Sequence, residues 1–273
     1  MKAVISPCPN PRNDRALARI LPLDARKFET AHRLYLQDRF EESVLVIGDA
    51  LERLETTGTT VSRRGAREGV ILLAKNLQEL GKHDDCRTTL QTAMLRGIIE
   101  EDDPHAAAIE LGILVHEGRY GEAVVIADRY IAKYSGRSTL LLGEFLFLRG
   151  SAHFFSGRVA EARSDCEAAH SLFAVLKVPR QQARTSNFLG ILLFQQSRYP
   201  ECIDWFQKSL TNHEELGLAV KAADNFQNIG VACYKLGRYR EAHANLSAVL
   251  EIDGITPARL CRAKIALGNV CRL

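Results

Sequence analysis

No stretch of this sequence approaches the roughly 18 uninterrupted apolar residues that a spanning helix requires, which excludes a helical membrane protein on length grounds. The N-terminus, MKAVISPCPNPRNDRALARILP, also lacks an apolar run long enough for a signal peptide, and the expected location is cytoplasmic. An excess of one charge sign is missing too. Lys+Arg number 36 against 33 Asp+Glu, and a net charge of +3 is too small to make nucleic acid the expected ligand. The signatures of catalysis are absent: there is no GxSxG, no phosphate-loop motif, no GxGxxG and no HExxH. His116 and His213 are each followed by glutamate, but no second histidine comes at a metal-binding spacing, and the seven cysteines include no CxxC pair. With no pairing of nucleophile and base in view, neither an enzyme nor a metal or cofactor site is expected.

What the chain does have is enough apolar material for a large core and a steady period. Of 273 residues, 46% are hydrophobic and 25% charged, so bulk disorder is excluded. Residues 1–25 form a leader in which Pro7, Pro9, Pro11 and Pro22 leave room for one short helix, Asn13 to Ile20. Beyond it an anchor position recurs at Ala31, Ala74, Leu111, Gly150, Gly190, Gly230 and Gly268, in steps of about 40 residues throughout. We number this anchor position 8. Seven positions further on stand the turn formers Asp38, Gly81, Gly118, Gly157, Ser197 and Gly237. A base follows each: Arg39, Lys82, Arg119, Arg158, Arg198 and Arg238. Phe40, His83, Tyr120, Val159, Tyr199 and Tyr239 come next, and three places later the small Ser43, Cys86, Ala123, Ala162, Cys202 and Ala242 at position 20.

This spacing describes a helical hairpin. Small residues at positions 8 and 20 let two antiparallel helices approach to about 8 Å where they cross. In the sixth unit Phe226, Ile229, Cys233 and Leu236 form one apolar stripe, and Tyr239, Ala242, Leu246 and Val249 form the facing one. A hairpin apolar on both sides must stack on its neighbours, and so steady a period is the mark of a solenoid. The small-x6-Gly-basic-aromatic-x2-Ala pattern resembles the tetratricopeptide repeat over Arg26 to Leu273. Units of about 40 residues, longer than the usual 34 of that repeat, look like the variety in bacterial signalling and transcription regulators and in kinesin-light-chain-like adaptors. The resemblance implies an all-α, right-handed α-solenoid of stacked antiparallel helical hairpins, with six full repeats and the first helix of a seventh within residues 26–273. The third unit departs most, with Leu111 where a small residue belongs and Gly112 one place late.

Loops and caps follow the same frame. Thr56 to Thr60 accounts for the longest step, from Ala31 to Ala74, and Pro104, Pro179 and Pro257 stand near the start of first helices, where a missing backbone donor costs nothing. Pro200 stands one residue into a second helix, and Glu100 to Asp103 reads as an acidic cap. Cys86, Cys166, Cys202, Cys233 and Cys271 fall in helix-packing slots, where cysteine acts as a small hydrophobe; Cys8 and Cys261 do not. His83 stands in for the turn aromatic and His153 in a packing slot. The seventh unit stops at position 13 with an uncovered apolar stripe, so the expectation is a fragment of something longer rather than a self-capped end.

Function is then expected where the pattern leaves residues free. In hairpins of this kind first helices line the concave face, and positions 2, 5, 6, 9 and 12 point into it. Those places hold Arg184, Asn187, Ile191 and Phe194 in unit five. Unit six has Asp224, Gln227, Asn228, Val231 and Tyr234, and unit seven Arg262, Ile265, Asn269 and Arg272. Amides can satisfy both groups of a peptide backbone and arginines select carboxylates, so the expected ligand is a peptide or helix with acidic residues. Charge agrees: residues 177–273 carry 13 bases and 8 acids, a net +5, leaving −2 for the rest. Phe147, Phe154 and Phe155 make unit four's inner side apolar, either as an anchor pocket for a hydrophobic side chain or through tight coiling. The primary expectation is a non-catalytic protein-interaction scaffold. The alternative is the sensory or regulatory arm of a longer bacterial signalling or transcription regulator. Single-stranded RNA read one base per repeat is the weakest reading, because the inner positions hold no regular polar code.

Overall fold

The computed structural model describes residues 23–57 and 63–272, with side chains described over 26–51 and 64–272. All regular structure among them is helical. Helix α1 spans Leu23–Leu36, α2 Phe40–Thr57, α3 Arg63–Glu79, α4 His83–Leu95 and α5 Pro104–His116. These are followed by α6 Tyr120–Tyr134, α7 Leu140–Phe155, α8 Val159–Val175, α9 Pro179–Gln195 and α10 Tyr199–Glu215. Helix α11 spans Ala219–Lys235, α12 Tyr239–Leu250 and α13 Pro257–Cys271. Odd-numbered helices are the first of each hairpin and even-numbered ones the second. The leader helix expected at Asn13–Ile20 lies outside the described residues, and Thr56 and Thr57 of the expected loop close α2 instead. The chain divides into two compact units, residues 1–106 and 107–273, with the boundary inside α5.

The hairpin turn has one backbone solution throughout. The second residue past each first helix from α1 to α11 has positive φ, whether glycine, as at Gly237 (74°), or not, as at Asp38 and Ser197 (both 58°). Left-handed backbone there reverses the chain within the turn, and aspartate and serine tolerate it because their short polar side chains bond locally. The amide of the following base then closes the turn: Arg238 N–H reaches the Cys233 carbonyl at 2.9 Å and Arg119 N–H that of Leu114 at 2.9 Å. The recurring base has a partner that the pattern did not single out, an acid three places later. Arg39 binds Glu42, Arg119 binds Glu122 and Arg198 binds Glu201, each at 2.7–2.8 Å through Nε. The acid thereby sits in the first turn of the second helix, near its positive end.

The crossing geometry is direct. In the first two units the position 20 side chain reaches the carbonyl of position 8: Ser43 Oγ donates to Ala31 O at 2.8 Å and Cys86 Sγ to Ala74 O at 3.2 Å. Ala123, Ala162, Cys202 and Ala242 are fully buried at the same place. Leu111 is fully buried as well, packed with Ala123, Ala127 and Tyr130, so the third unit accepts a large anchor residue. Pro104, Pro179 and Pro257 each open a first helix, and Pro200 is the second residue of α10. Of the acidic run, Asp103 is the cap: its Oδ1 accepts from His105 N at 2.9 Å and Ala106 N at 3.2 Å, while its Oδ2 takes Arg67 Nε at 2.6 Å.

Cys86, Cys166, Cys202 and Cys233 are buried as expected, and burial pushes the Cys166 thiol up to about 12 and Cys202 to about 11. Cys271 is a correction: it is exposed, because no second helix covers α13 among the described residues. His153 is buried, with its Nε2 3.8 Å from Asp165. Arg149 ties three helices together around it, reaching Asp165 with two bonds of 2.8 and 2.6 Å and Asp128 with one of 2.6 Å.

Candidate functional site

The candidate site is the face that α7, α9, α11 and α13 share in residues 107–273. Hydrogen bonds running from one first helix to the next show that these helices are neighbours. Arg184 of α9 pairs with Glu144 of α7, and its guanidinium lies 4.2 Å from the centre of the Phe147 ring. Asn228 of α11 donates through Nδ2 to Asn187 Oδ1 of α9 at 3.1 Å. Arg259 of α13 grips Asp224 of α11 with two bonds, of 2.8 and 2.9 Å. These links place polar groups at fixed points along the face, and a rigid array loses less entropy on binding than a floppy one.

The arrangement changes the roles expected from sequence. Arg184 does not stand ready for a ligand carboxylate, since Glu144 already holds it; the same is true of Asp224 and its partner Arg259. Arg262 and Asn269 of α13 are exposed, as is Arg272 just after it. Asn187, Gln227 and Asn228 are half-buried, and the bond between the two asparagines leaves the Asn187 amide hydrogens and the Asn228 carbonyl turned to other partners. Phe194 stands edge-on to Tyr199 at 5.3 Å and Tyr234 tilts against Tyr239 at 6.0 Å, so both rings are steadied from the turn.

The aromatic trio of unit four does not form an open pocket. Phe147 and Phe154 are only 7% and 9% exposed, because Phe188 of α9 packs edge-on against both at 5.5 and 5.2 Å and fills the space a ligand side chain would take. Phe155 faces outward, 54% exposed, stacked on Tyr120 at 5.9 Å.

Sequence reasoning missed Glu144, Phe188 and Arg259. A signal for the first was present: position 2 reads Glu144, Arg184, Asp224, Arg262, alternating in sign from unit to unit. It also missed a cavity of about 600 Å³ in residues 1–106, lined by Phe28, His32 and Tyr35 of α1 and by Gly69, Leu72 and Lys75 of α3. Burial there, together with the Lys75 charge, lowers the His32 pKa below its ordinary value. Phe28, His32 and Tyr35 hold positions 5, 9 and 12 of the first unit and Leu72 and Lys75 positions 6 and 9 of the second, so the inner-face rule was the signal that could have found them. Among the described residues no cluster of three His, Cys, Asp or Glu is placed to hold a metal, and no helix is long and apolar enough to cross a membrane.

Residues 181–253, covering α9 to α12, match the tetratricopeptide repeat family. No curated protein sequence matches the chain. Among solved structures, a Rap protein complexed with Competence and Sporulation Factor is similar over 90% of this chain and 70% of its own, with TM-score 0.63 and 12% identity. The apo form of RapI is similar over 91% and 71%, with TM-score 0.61 and 16% identity. A signal transduction ATPase with numerous domains, carrying a tetratricopeptide repeat sensor and coming from Pyrococcus horikoshii, is similar over 95% of this chain but 40% of its own, with TM-score 0.58 and 17% identity. At such identities the likeness is one of fold. Residues 181–253 thus match the tetratricopeptide repeat, and by the likeness of fold the chain is an all-α solenoid of stacked antiparallel helical hairpins.

Proposed function

We propose that this chain is a protein-interaction scaffold that takes a peptide or helix on the shared face of α7, α9, α11 and α13. The observation that carries the reading is the linked asparagine pair. Asn187 offers hydrogens and Asn228 offers an oxygen from positions fixed by their mutual bond, which is the complement of one peptide group. Arg262 on α13 and Arg272 just after it, both exposed, favour a ligand with acidic residues. Phe194 and Tyr234 supply partly buried rings for its apolar side chains. The Rap neighbour, complexed with Competence and Sporulation Factor, supports a solenoid of this kind holding a bound factor.

The test is selection of peptides from a random library on the whole chain, followed by calorimetry. Asn228→Ala removes a hydrogen bond to the ligand and unties Asn187, and is expected to weaken the selected peptide by about 5- to 50-fold. Arg262→Ala is expected to weaken acidic peptides and leave neutral ones alone. Unchanged affinity in both variants would remove the site from this face.

A second reading has its own support. The Pyrococcus horikoshii neighbour, whose repeats are a sensor, extends far beyond the region of likeness, and a regulatory arm of a longer signalling or transcription regulator fits the same fold. In that case binding on the shared face changes the activity of an attached module, and reading the flanking gene sequence decides it.

A further inference from the structure

The cavity in residues 1–106 is built like a site for a small molecule. It lies between two first helices, α1 and α3, with His105 of α5 at its edge, so it is a space within the stack of hairpins rather than a terminal face. Its volume of about 600 Å³ falls within the range of about 300–1,000 Å³ usual for ligand cavities. Phe28, Tyr35, Ile71 and Leu72 give it an apolar lining. Gly69 admits the first of these rings to the surface of α3, since a Cβ there would come to 2.6 Å from Phe28. Tyr35 is steadied by Phe40, 5.7 Å away, and its ring stands 6.5 Å from that of His32 at an angle of 25°. A flat, partly apolar ligand fits such walls.

Charge narrows the ligand further. Both acids of the lining, Glu29 and Glu68, are exposed and pair along their own helices with Arg33 at 3.9 Å and Arg64 at 3.0 Å. Arg67 turns to the buried Asp103 at 2.6 Å. Lys75 is half-buried and brings an ammonium to the aromatic lining, with His32 and His105 on the same cavity. Its charge is felt there: burial and then the Lys75 charge hold the His32 pKa below its ordinary value, so this imidazole is neutral at pH 7. One ammonium beside a neutral imidazole matches a single negative charge. We propose that this cavity binds a small aromatic carboxylate, its ring against Phe28 and Tyr35 and its carboxylate toward Lys75 and His32.

The probes are 1-naphthaleneacetate and the uncharged 1-naphthaleneacetamide, which share ring and length, each titrated into the whole chain at pH 7 and low salt by ligand-observed NMR. The carboxylate is expected to bind at least about tenfold tighter. Lys75→Met keeps most of the side chain's bulk and removes its charge. In that variant the carboxylate loses its advantage and the amide keeps its affinity, which separates a lost charge from a lost fold. Histidine ring signals give a second readout: with the carboxylate bound His32 titrates at higher pH, because a nearby anion favours its charged form, and with the amide it does not. Arg262→Ala leaves the carboxylate's affinity unchanged, which separates this cavity from the shared face above. Using the whole chain means that any part of it filling the cavity would read as failure to bind. No binding of the carboxylate, equal affinity for both probes, an advantage that survives Lys75→Met, a His32 titration indifferent to the carboxylate, or weakening by Arg262→Ala each overturns the proposal.

Discussion

Whether a glycine is needed in this chain depends on what stands opposite it. Gly190 faces the Phe206 ring at a distance no Cβ tolerates, whereas Gly268 faces open space. Gly190→Ala is therefore expected to cost about 1–3 kcal/mol through overpacking. Gly268→Ala is expected to stabilise by about 0.5–1 kcal/mol through helix propensity alone. Urea unfolding of the two variants beside the parent checks the contrast, and equal effects at both sites would show that the crossing contact carries no energy. These two residues occupy the same position of the repeat, so the sequence assigns them the same role. Among the described residues a second helix packs against Gly190 and none against Gly268. The same holds for Cys233 and Cys271, equivalent in pattern and opposite in burial.

Helix ends were legible where proline and acid mark them. Pro104, Pro179 and Pro257 each start a helix because the ring presets φ and lacks only a hydrogen that would be orphaned anyway. The acidic run before Pro104 was readable as a cap, but which of its members caps was not, since that depends on Arg67 arriving from α3. Asp103 satisfies two first-turn amides and a guanidinium with its side chain nearly closed to water. Asp103→Ala is expected to cost about 2–3 kcal/mol, and Asp103→Asn less, because the amide oxygen still caps. Thermal unfolding followed by circular dichroism separates the two, and an Asp103→Ala protein as stable as the parent would contradict the capping role. The inner-face pairs are harder to read from sequence, because Arg184 with Glu144 and Arg259 with Asp224 join residues about one repeat apart. Sign alternation at position 2 hints at the first pair and says nothing of the second.

At the scale of the molecule, the repeat period dictated the hairpins, and with them most of the core. It did not dictate the division between residues 106 and 107, which falls inside α5. Three histidines with lowered pKa, His32 among them, give the folded chain a pH signature. Burial lowers the pKa of His153, with Arg158 adding to the effect and Asp165 opposing it, and burial lowers that of His170, with Lys208 adding. The unfolded chain then binds protons more readily near pH 6.5 than the folded one does. Stability is full above that pH and falls as pH drops through it toward the folded pKa, by at most about 1.4 kcal/mol per pH unit for each histidine. His170→Gln is expected to flatten this fall below about pH 6.5 in denaturant titrations, and an unchanged slope would contradict the assignment. The central claim remains the shared face of α7, α9, α11 and α13. It is tested most directly by placing a photoreactive benzoylphenylalanine at Val231, on that face of α11, and at Val125, exposed on the second helix α6, and irradiating each with a library-selected peptide. Cross-linking at 231 and not at 125 is the predicted result; cross-linking at 125 alone, or equally at both, would contradict it.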